Sequence, residues 1–421
     1  MNWHHILIAV AVTLIPLNSQ ASEVTSNEQE YQKEFLRKAT EIGKELDNKE
    51  STLLQKLVKS EALFDVYDED PVATDIIAQY SSTYFSFAGE HRRALAIADI
   101  GQSIKKDDKP ALDLSVFNAT PAVEAILDVA RTQTVVMVNE AHHIAQHRAL
   151  TYDLLEGLWD SGFRYFALEA LSSSEALPFD GPLKRDSGYY TQEPLVAYMI
   201  SHALELGYKL IPYDSGGDTQ TREKEAAANL KRDIFDKDPS AKILIHVGYS
   251  HIDESGWLAK NLKDAIGVDP LTIDQVKFSE KSKPVFEHQN YEKVLAHFQN
   301  KEPIVLFDNQ NEFYSSEPNK WDVSVFSPRT NYFSNKPNWM LKEREAIKLE
   351  PSLCEGSYPC LVEAFSHEYA QEEDLLEFIP YDKTVINSEL DKKVILVGSE
   401  KTLIVVTDEN RTILSQRVVE Q

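Results

Sequence analysis

Glu140, His142, His143 and His147 lie within eight residues of one another in VVMVNEAHHIAQHRAL (135–150) and include three of the chain's twelve histidines. Imidazole titrates near neutrality, and a carboxylate accepts protons or binds cations. The pattern therefore suits general acid–base chemistry or a divalent metal. His142 and His143 are adjacent, so they point in different directions and one of them faces a ligand. His143 and His147 are four apart, which places both on one helical face at a spacing where two imidazoles share a metal. No Glu follows His143, so this is not HExxH. Glu140 leaves an apolar run and suits a metal ligand or a general base.

Two further stretches carry candidate groups. In HVGYSHIDESGW, Gly248 allows a tight turn after a strand, His251 returns to the strand edge and Tyr249 lies between them. His246 is inside the strand and reads as a packed core residue. In DTQTREKEAAANL, Arg222 and Glu223 open a helix, where an acid suits the first turn. Arg222 reads either as one half of a solvated ion pair or as the holder of an anion or a site carboxylate.

These residues need a frame. Five short β-prone runs occur at 134–138, 164–168, 208–213, 242–247 and 303–307, and helical segments separate the first four. That alternation indicates βαβ units and a mainly parallel sheet flanked by helices, an α/β fold, over 113–310. Asn139 and Glu140 come after the first run, Glu169 after the second, Asp214 after the third, Gly248 and His251 after the fourth and Asp308 after the fifth. Open α/β sheets bind ligands outside the carboxyl ends of their strands. Single acids there are common as helix caps, and Asp308 also reads as a turn residue. Their concentration on one edge indicates a polar site.

Residues 22–112 are charged and helically periodic, a layer for packing on the main domain. Residues 311–421 form a C-terminal extension, and VTDENRTIL reads as two strands around a turn, a small β element at the end. Residues 1–21 have a dozen-residue apolar stretch and end in Ser-Gln-Ala, the pattern of a secretory signal peptide cut after Ala21. No other segment is apolar enough to span a membrane. An exported chain meets oxidants, so Cys354 and Cys360 are expected to form a local disulfide. The formal charge of −25 argues against nucleic acid or an anionic membrane surface as partner. A small molecule or a peptide is the expected substrate, and the sequence does not indicate an oligomeric state.

The order of these motifs resembles the superfamily that joins erythromycin-esterase-like proteins, ChaN-like haem-binding uptake proteins and the TraB and Tiki group. The likeness covers about residues 130 to 255. Asn139-Glu140-Ala141-His142 with His147 matches the ChaN-like G-E-x-H followed by a second His, with Asn139 in place of Gly. Asn139 to His142 and Gly248 to His251 correspond to the two G-x-x-H motifs of the Tiki and TraB relatives. Glu140 with His143 satisfies the esterase-like spacing, and Glu169 matches the acid after the second strand. The resemblance implies a metal-dependent peptidase, an esterase using a His-activated water, or a surface haem binder.

The leading expectation is an exported hydrolase assisted by a divalent metal on Glu140, His142 and His251. Glu140 or Glu169 would take the proton, and His143 or His147 would contact or orient substrate. Asp214, Arg222, Glu223 and Tyr249 complete the expected surroundings. A metal-free variant uses His142 or His143 as general base, held by a carboxylate. The alternatives are a haem or iron binder with His147, His142 and Tyr249 near the iron, and an inactive relative.

Overall fold

The computed structural model describes residues 26–102, 111–172, 183–215, 219–341, 344–398 and 401–420. The expected signal peptide at 1–21 lies outside them. Among the described residues no helix is long and apolar enough to cross a membrane.

The centre is an eight-stranded sheet. Its strands are β1 (Asn118–Pro121), β2 (Val135–Glu140), β3 (Tyr165–Leu168), β4 (Lys209–Pro212), β5 (Ile243–Gly248), β6 (Leu271–Asp274), β7 (Ile304–Phe307) and β8 (Val323–Phe326). They lie in the order β1-β7-β8-β6-β2-β5-β3-β4. β8, β6, β2, β5, β3 and β4 run parallel, and β7 is antiparallel to both β1 and β8. The α/β fold expected from the alternation is therefore present. Its unit runs on through Phe326, past the boundary near 310, because β8 inserts between β6 and β7.

The central strands are apolar on both sides because helices cover both faces. Val136, Val138, Phe166, Leu168 and Leu244 pack into one core with the helices Gln146–Asp160 and Pro194–Leu206. Val135, Met137, Ala167, Ile243 and Ile245 alternate with them and pack into the opposite core with the helices Thr219–Leu230 and Leu258–Ile266.

The helices Ser26–Leu46, Leu53–Val66, Pro71–Phe87 and His91–Ala98 form the N-terminal layer. Capping explains two of its starts: Thr52 and Gln55 make a capping box, and Asp70 caps a helix with Pro71 at its first position. This layer shares its core with the first face of the sheet, as expected.

The C-terminal region is a β unit. After the two-residue strands β9 (Tyr332–Phe333) and β10 (Lys336–Pro337), β11 (Glu345–Lys348) pairs with β14 (Val394–Val397). β12 (Cys360–Ser366), β13 (Asp382–Ile386), β15 (Thr402–Thr407) and β16 (Ile413–Val419) form a four-stranded antiparallel sheet. The expected hairpin around Asp408-Glu409-Asn410 is β15–β16. Cys354 and Cys360 form the expected disulfide, with a Cα–Cα distance of 5.9 Å.

A strap from Leu183 to Gln192 returns over the carboxyl edge of the main sheet. The C-terminal unit holds it: Arg185 N–H donates to Glu377 O at 2.8 Å, Ile379 N–H donates to Leu183 O at 3.0 Å, and the Arg185 side chain pairs with Glu363 at 2.7 Å.

Candidate active site

Strand register assembles the site. Glu140, the last residue of β2, sits beside Gly248, the last of β5, and Leu168 at the end of β3 sits beside His246. Glu169 comes directly after β3, so it meets both. The turns after β2 and β5 bring in His142 and His251.

Glu140 is 2 % exposed, and both of its oxygens are engaged. Oε1 accepts from Arg148 at 2.7 Å and lies 2.7 Å from His142 Nδ1, while Oε2 lies 2.7 Å from His246 Nε2. Burial pushes this carboxyl up, but the Arg148 guanidinium and His246, with hydrogen bonds from His142 and His246, hold it well below the usual carboxylate range. It is an anion that orients His142. Thr151 Oγ1, 2.9 Å from His246 Nδ1, fixes the far side of the network.

His142 has Nδ1 on Glu140, and its Nε2 points to Glu169 Oε2 at 3.8 Å. His251 mirrors it. Its Nδ1 lies 2.9 Å from Glu223 Oε2, and its Nε2 lies 3.5 Å from Glu169 Oε1. Burial alone would lower the His251 pKa, but Glu223 and Glu169 overcome it and push it up to about 10, so His251 is an imidazolium at neutral pH. Glu169 accepts from Gly248 N–H at 2.7 Å and from Arg222 at 2.8 Å. Burial raises its pKa, yet His251, Arg222 and His142 bring it well below the ordinary value. Arg222 is also held by both oxygens of Asp214, at 2.8 and 2.6 Å. Of the two readings of Arg222, the structure therefore shows the one that holds a site carboxylate.

Gly248 belongs here for lack of a side chain. A Cβ on it would lie 2.4 Å from His142 Cε1, 2.5 Å from His142 Nε2 and 2.8 Å from Glu169 Oε2. Asn139, which departs from the Gly of the resembled motif, braces two turns. Its Nδ2 donates to Tyr249 O at 3.0 Å and to Asp274 Oδ1 at 2.8 Å, and its Oδ1 accepts from Gln275 N–H at 2.8 Å.

Several expectations are redrawn. His143 and His147 do not share a helical face, because the helix starts only at Gln146. His143 sits in the preceding turn, with Nδ1 3.4 Å from the Tyr249 hydroxyl. His147 is fully buried and accepts the Ala141 N–H on Nδ1 at 2.9 Å; burial lowers its pKa to about 3. It pins the turn and does not face a substrate. Asp308 comes after the antiparallel β7, so it emerges at the opposite edge, where its carboxylate caps a turn through Gln310 and Glu312. His246 is a buried histidine, as expected, but it is also a direct partner of Glu140.

Sequence reading missed Arg148, Thr151 and Tyr190. Arg148 had a signal: it is the next residue after His147, on a helix that returns past Glu140. Tyr190 had none, since it reaches the site only through the strap; its ring stacks on His142 at 4.1 Å between centroids, with planes 17° apart.

The metal set expected from the sequence does not fit this arrangement. Both Glu140 oxygens are already engaged by Arg148, His142 and His246, and His251 is held between Glu223 and Glu169. Among the described residues no group of three or more His, Cys, Asp or Glu is placed to hold a metal ion. Of the three residues expected near a haem iron, His147 is enclosed, and burial raises the Tyr249 hydroxyl pKa, opposing the phenolate that iron would require.

No protein-family model matches the chain, and no curated protein matches it. Two solved structures are similar to parts of it. One is the crystal structure of RRSP, a MARTX toxin effector domain from Vibrio vulnificus CMCP6. It is 14 % identical with a TM-score of 0.28, over 49 % of this chain and 46 % of that one. The other is described as bacterial protein toxins. It is 12 % identical with a TM-score of 0.28, over 63 % of this chain and 52 % of that one. The likeness thus spans about half the length of each of these structures.

Proposed function

We propose that the protein is an exported hydrolase of an ester or peptide carbonyl, with His142 as general base and His251 as general acid. One observation carries this reading: two buried imidazoles, each held through Nδ1 by a carboxylate, turn their Nε2 atoms toward the same residue, Glu169. A base held by an acid, facing a charged imidazolium, is the pairing that acyl transfer to water uses.

In this reaction water attacks the acyl carbon and forms a C–O bond while His142 Nε2 takes its proton. The leaving oxygen or nitrogen departs with the proton from His251 Nε2 as its bond to carbon breaks. His142 ends protonated and His251 neutral, and proton exchange with solvent restores both. Glu140 holds the His142 tautomer and supports its imidazolium. Glu223 does the same for His251. Arg148 and Arg222 keep the buried carboxylates ionised. The leader-like first 21 residues and the disulfide between Cys354 and Cys360 support export.

The test is a panel of chromogenic esters and short peptides, with wild type and His142→Ala, with and without a chelator. Hydrolysis that falls at least about 1000-fold in the variant and ignores the chelator is expected. No turnover in the wild type would defeat the proposal. So would a Soret band, or bound metal lost in His142→Ala.

A further inference from the structure

We infer that Tyr190 and Glu169 form the seat of the attacking water, which makes Tyr190 a catalytic residue of the proposed reaction. The inference rests on the hydrolase reading for the role of that water, but not for its presence.

The Tyr190 hydroxyl is buried, in a residue 5 % exposed, and has no hydrogen-bond partner among the described residues. Leaving a buried donor unpaired costs about 1–3 kcal/mol. A site retains such a group when its partner arrives from outside. Beside Tyr190 is a small cavity lined by Glu140, Glu169, His246, Gly248 and Thr191, whose hydroxyl donates to Gly188 O at 2.8 Å, with Leu and Val side chains closing the rest, and it has room for about one oxygen-sized atom.

The lining decides what that atom is. Both Glu140 oxygens are taken by His142, Arg148 and His246. Glu169 Oε2 accepts from Gly248 N–H and keeps accepting capacity. An atom between the Tyr190 hydroxyl and Glu169 must therefore accept from one and donate to the other. A carbonyl oxygen cannot donate and would face the carboxylate's charge, whereas a water does both. Gly248 joins this seat to the base, since its open Cα face adjoins both His142 Nε2 and Glu169 Oε2. The stack of Tyr190 on His142 fixes the hydroxyl relative to the ring that takes the proton.

The experiment combines crystal structures of wild type and Tyr190→Phe, at a resolution that shows ordered water, with steady-state kinetics and thermal melting of both. The expected result is a water within hydrogen-bond reach of Tyr190 and Glu169 in the wild type and not in the variant. With it, kcat falls about 100-fold at an unchanged KM, and the melting temperature falls by no more than the loss of one water-mediated hydrogen bond allows, so the variant is folded in the assay. A wild-type seat without water overturns the inference. So does an unaltered kcat in Tyr190→Phe. The failures separate cleanly: an ordered water in a protein that hydrolyses nothing supports the seat and removes the reaction.

Discussion

At the residue scale, the charges of Glu140 and Arg148 depend on each other. Both are buried, and Glu140 is the anion that Arg148, His142 and His246 converge on. Glu140→Gln keeps the shape but can present an amide N–H to His142 and leaves Arg148 poorly compensated. Loss of an orienting acid costs on the order of 10⁴-fold in kcat in the Ser-His-Asp triad, and breaking a buried ion pair costs about 3–5 kcal/mol. We therefore expect kcat to fall by at least about 1000-fold together with a clear loss of stability in urea. Asp214→Asn, one residue further from the chemistry, should cost less activity because Arg222 keeps Glu169. Gly248→Ala is the complementary change: its Cβ would collide with the His142 ring. Overpacking costs about 1–3 kcal/mol, so the variant should fold, with kcat lost. A Gly248→Ala protein of normal kcat would show that His142 can move aside freely. Much of this was legible in the sequence. Glu140, His142, Glu169 and His251 could be located from the polar residues at the carboxyl end of each β-prone run. Arg222 could be named but not oriented. What sequence could not show was proton occupancy, because the charge of His251 depends on Glu223 arriving from a different helix.

At the scale of elements, periodicity located five strands of the main sheet and missed its other three. β1, β6 and β8 have four residues each, and DPLTID and WDVSVF mix acids with apolar residues, so no sustained run marks them. The direction of β7 was equally hidden, and with it the fate of Asp308, because only pairing reveals an antiparallel strand. The β2–β5 register pairs Val138 with His246 and Glu140 with Gly248, so Glu140 and His246 share a sheet face, a relation that alternation within either strand alone does not reveal. The strap that carries Tyr190 has no sequence signature. It depends on long-range contacts, chiefly Arg185 with Glu363 and the backbone around Glu377. Arg185→Ala should therefore act at a distance. Amide exchange measured by mass spectrometry should rise over residues 183–192 and stay unchanged in β2 and β5, with a drop in kcat/KM of about 10-fold from the looser Tyr190. Uniform exchange in the two proteins would mean that the strap is held by its other contacts. The disulfide is more local. It closes a loop of only a few residues, worth about 2 kcal/mol in the chain-entropy account, so Cys354→Ala with Cys360→Ala should soften the C-terminal sheet and leave His142 chemistry intact.

At the scale of the whole molecule, buried titratable groups set how stability varies with pH. His91 and His147 are lowered by burial to about 3. The unfolded chain takes up their protons below the ordinary 6.5, while the folded chain does not until about pH 3, so acid destabilises the fold from about 6.5 downward. Glu140 and Glu169 add to this, since the stability from their low pKa values is present above about 4.5 and is lost as pH falls through their folded values. His251 has the opposite sign: its raised pKa stabilises fully below 6.5, and the gain is lost as pH rises through about 10. Alone it would tilt the curve downward over that range. Lys383 counters it. Burial brings this lysine down to about 7, with Arg185 adding to the fall, from an ordinary 10.5. Between those values the unfolded chain holds a proton the folded chain lacks, so stability rises with pH. The two slopes oppose each other from about pH 7 to 10, and Lys281, whose pKa burial also lowers from 10.5, acts in the same sense as Lys383. Urea midpoints should therefore show no decline over that range and fall steadily below about 6.5. Lys383→Met removes the compensation and exposes the His251 slope, about 1.36 kcal/mol per pH unit for one proton. Its midpoint should fall relative to the wild type from about pH 7 to 10, and Lys383→Met combined with Glu223→Gln should reduce that fall. A decline already present in the wild type would mean that Lys383 does not compensate, whereas equal slopes in Lys383→Met and in the combined variant would mean that His251 is not the charged imidazolium on which the proposed reaction depends.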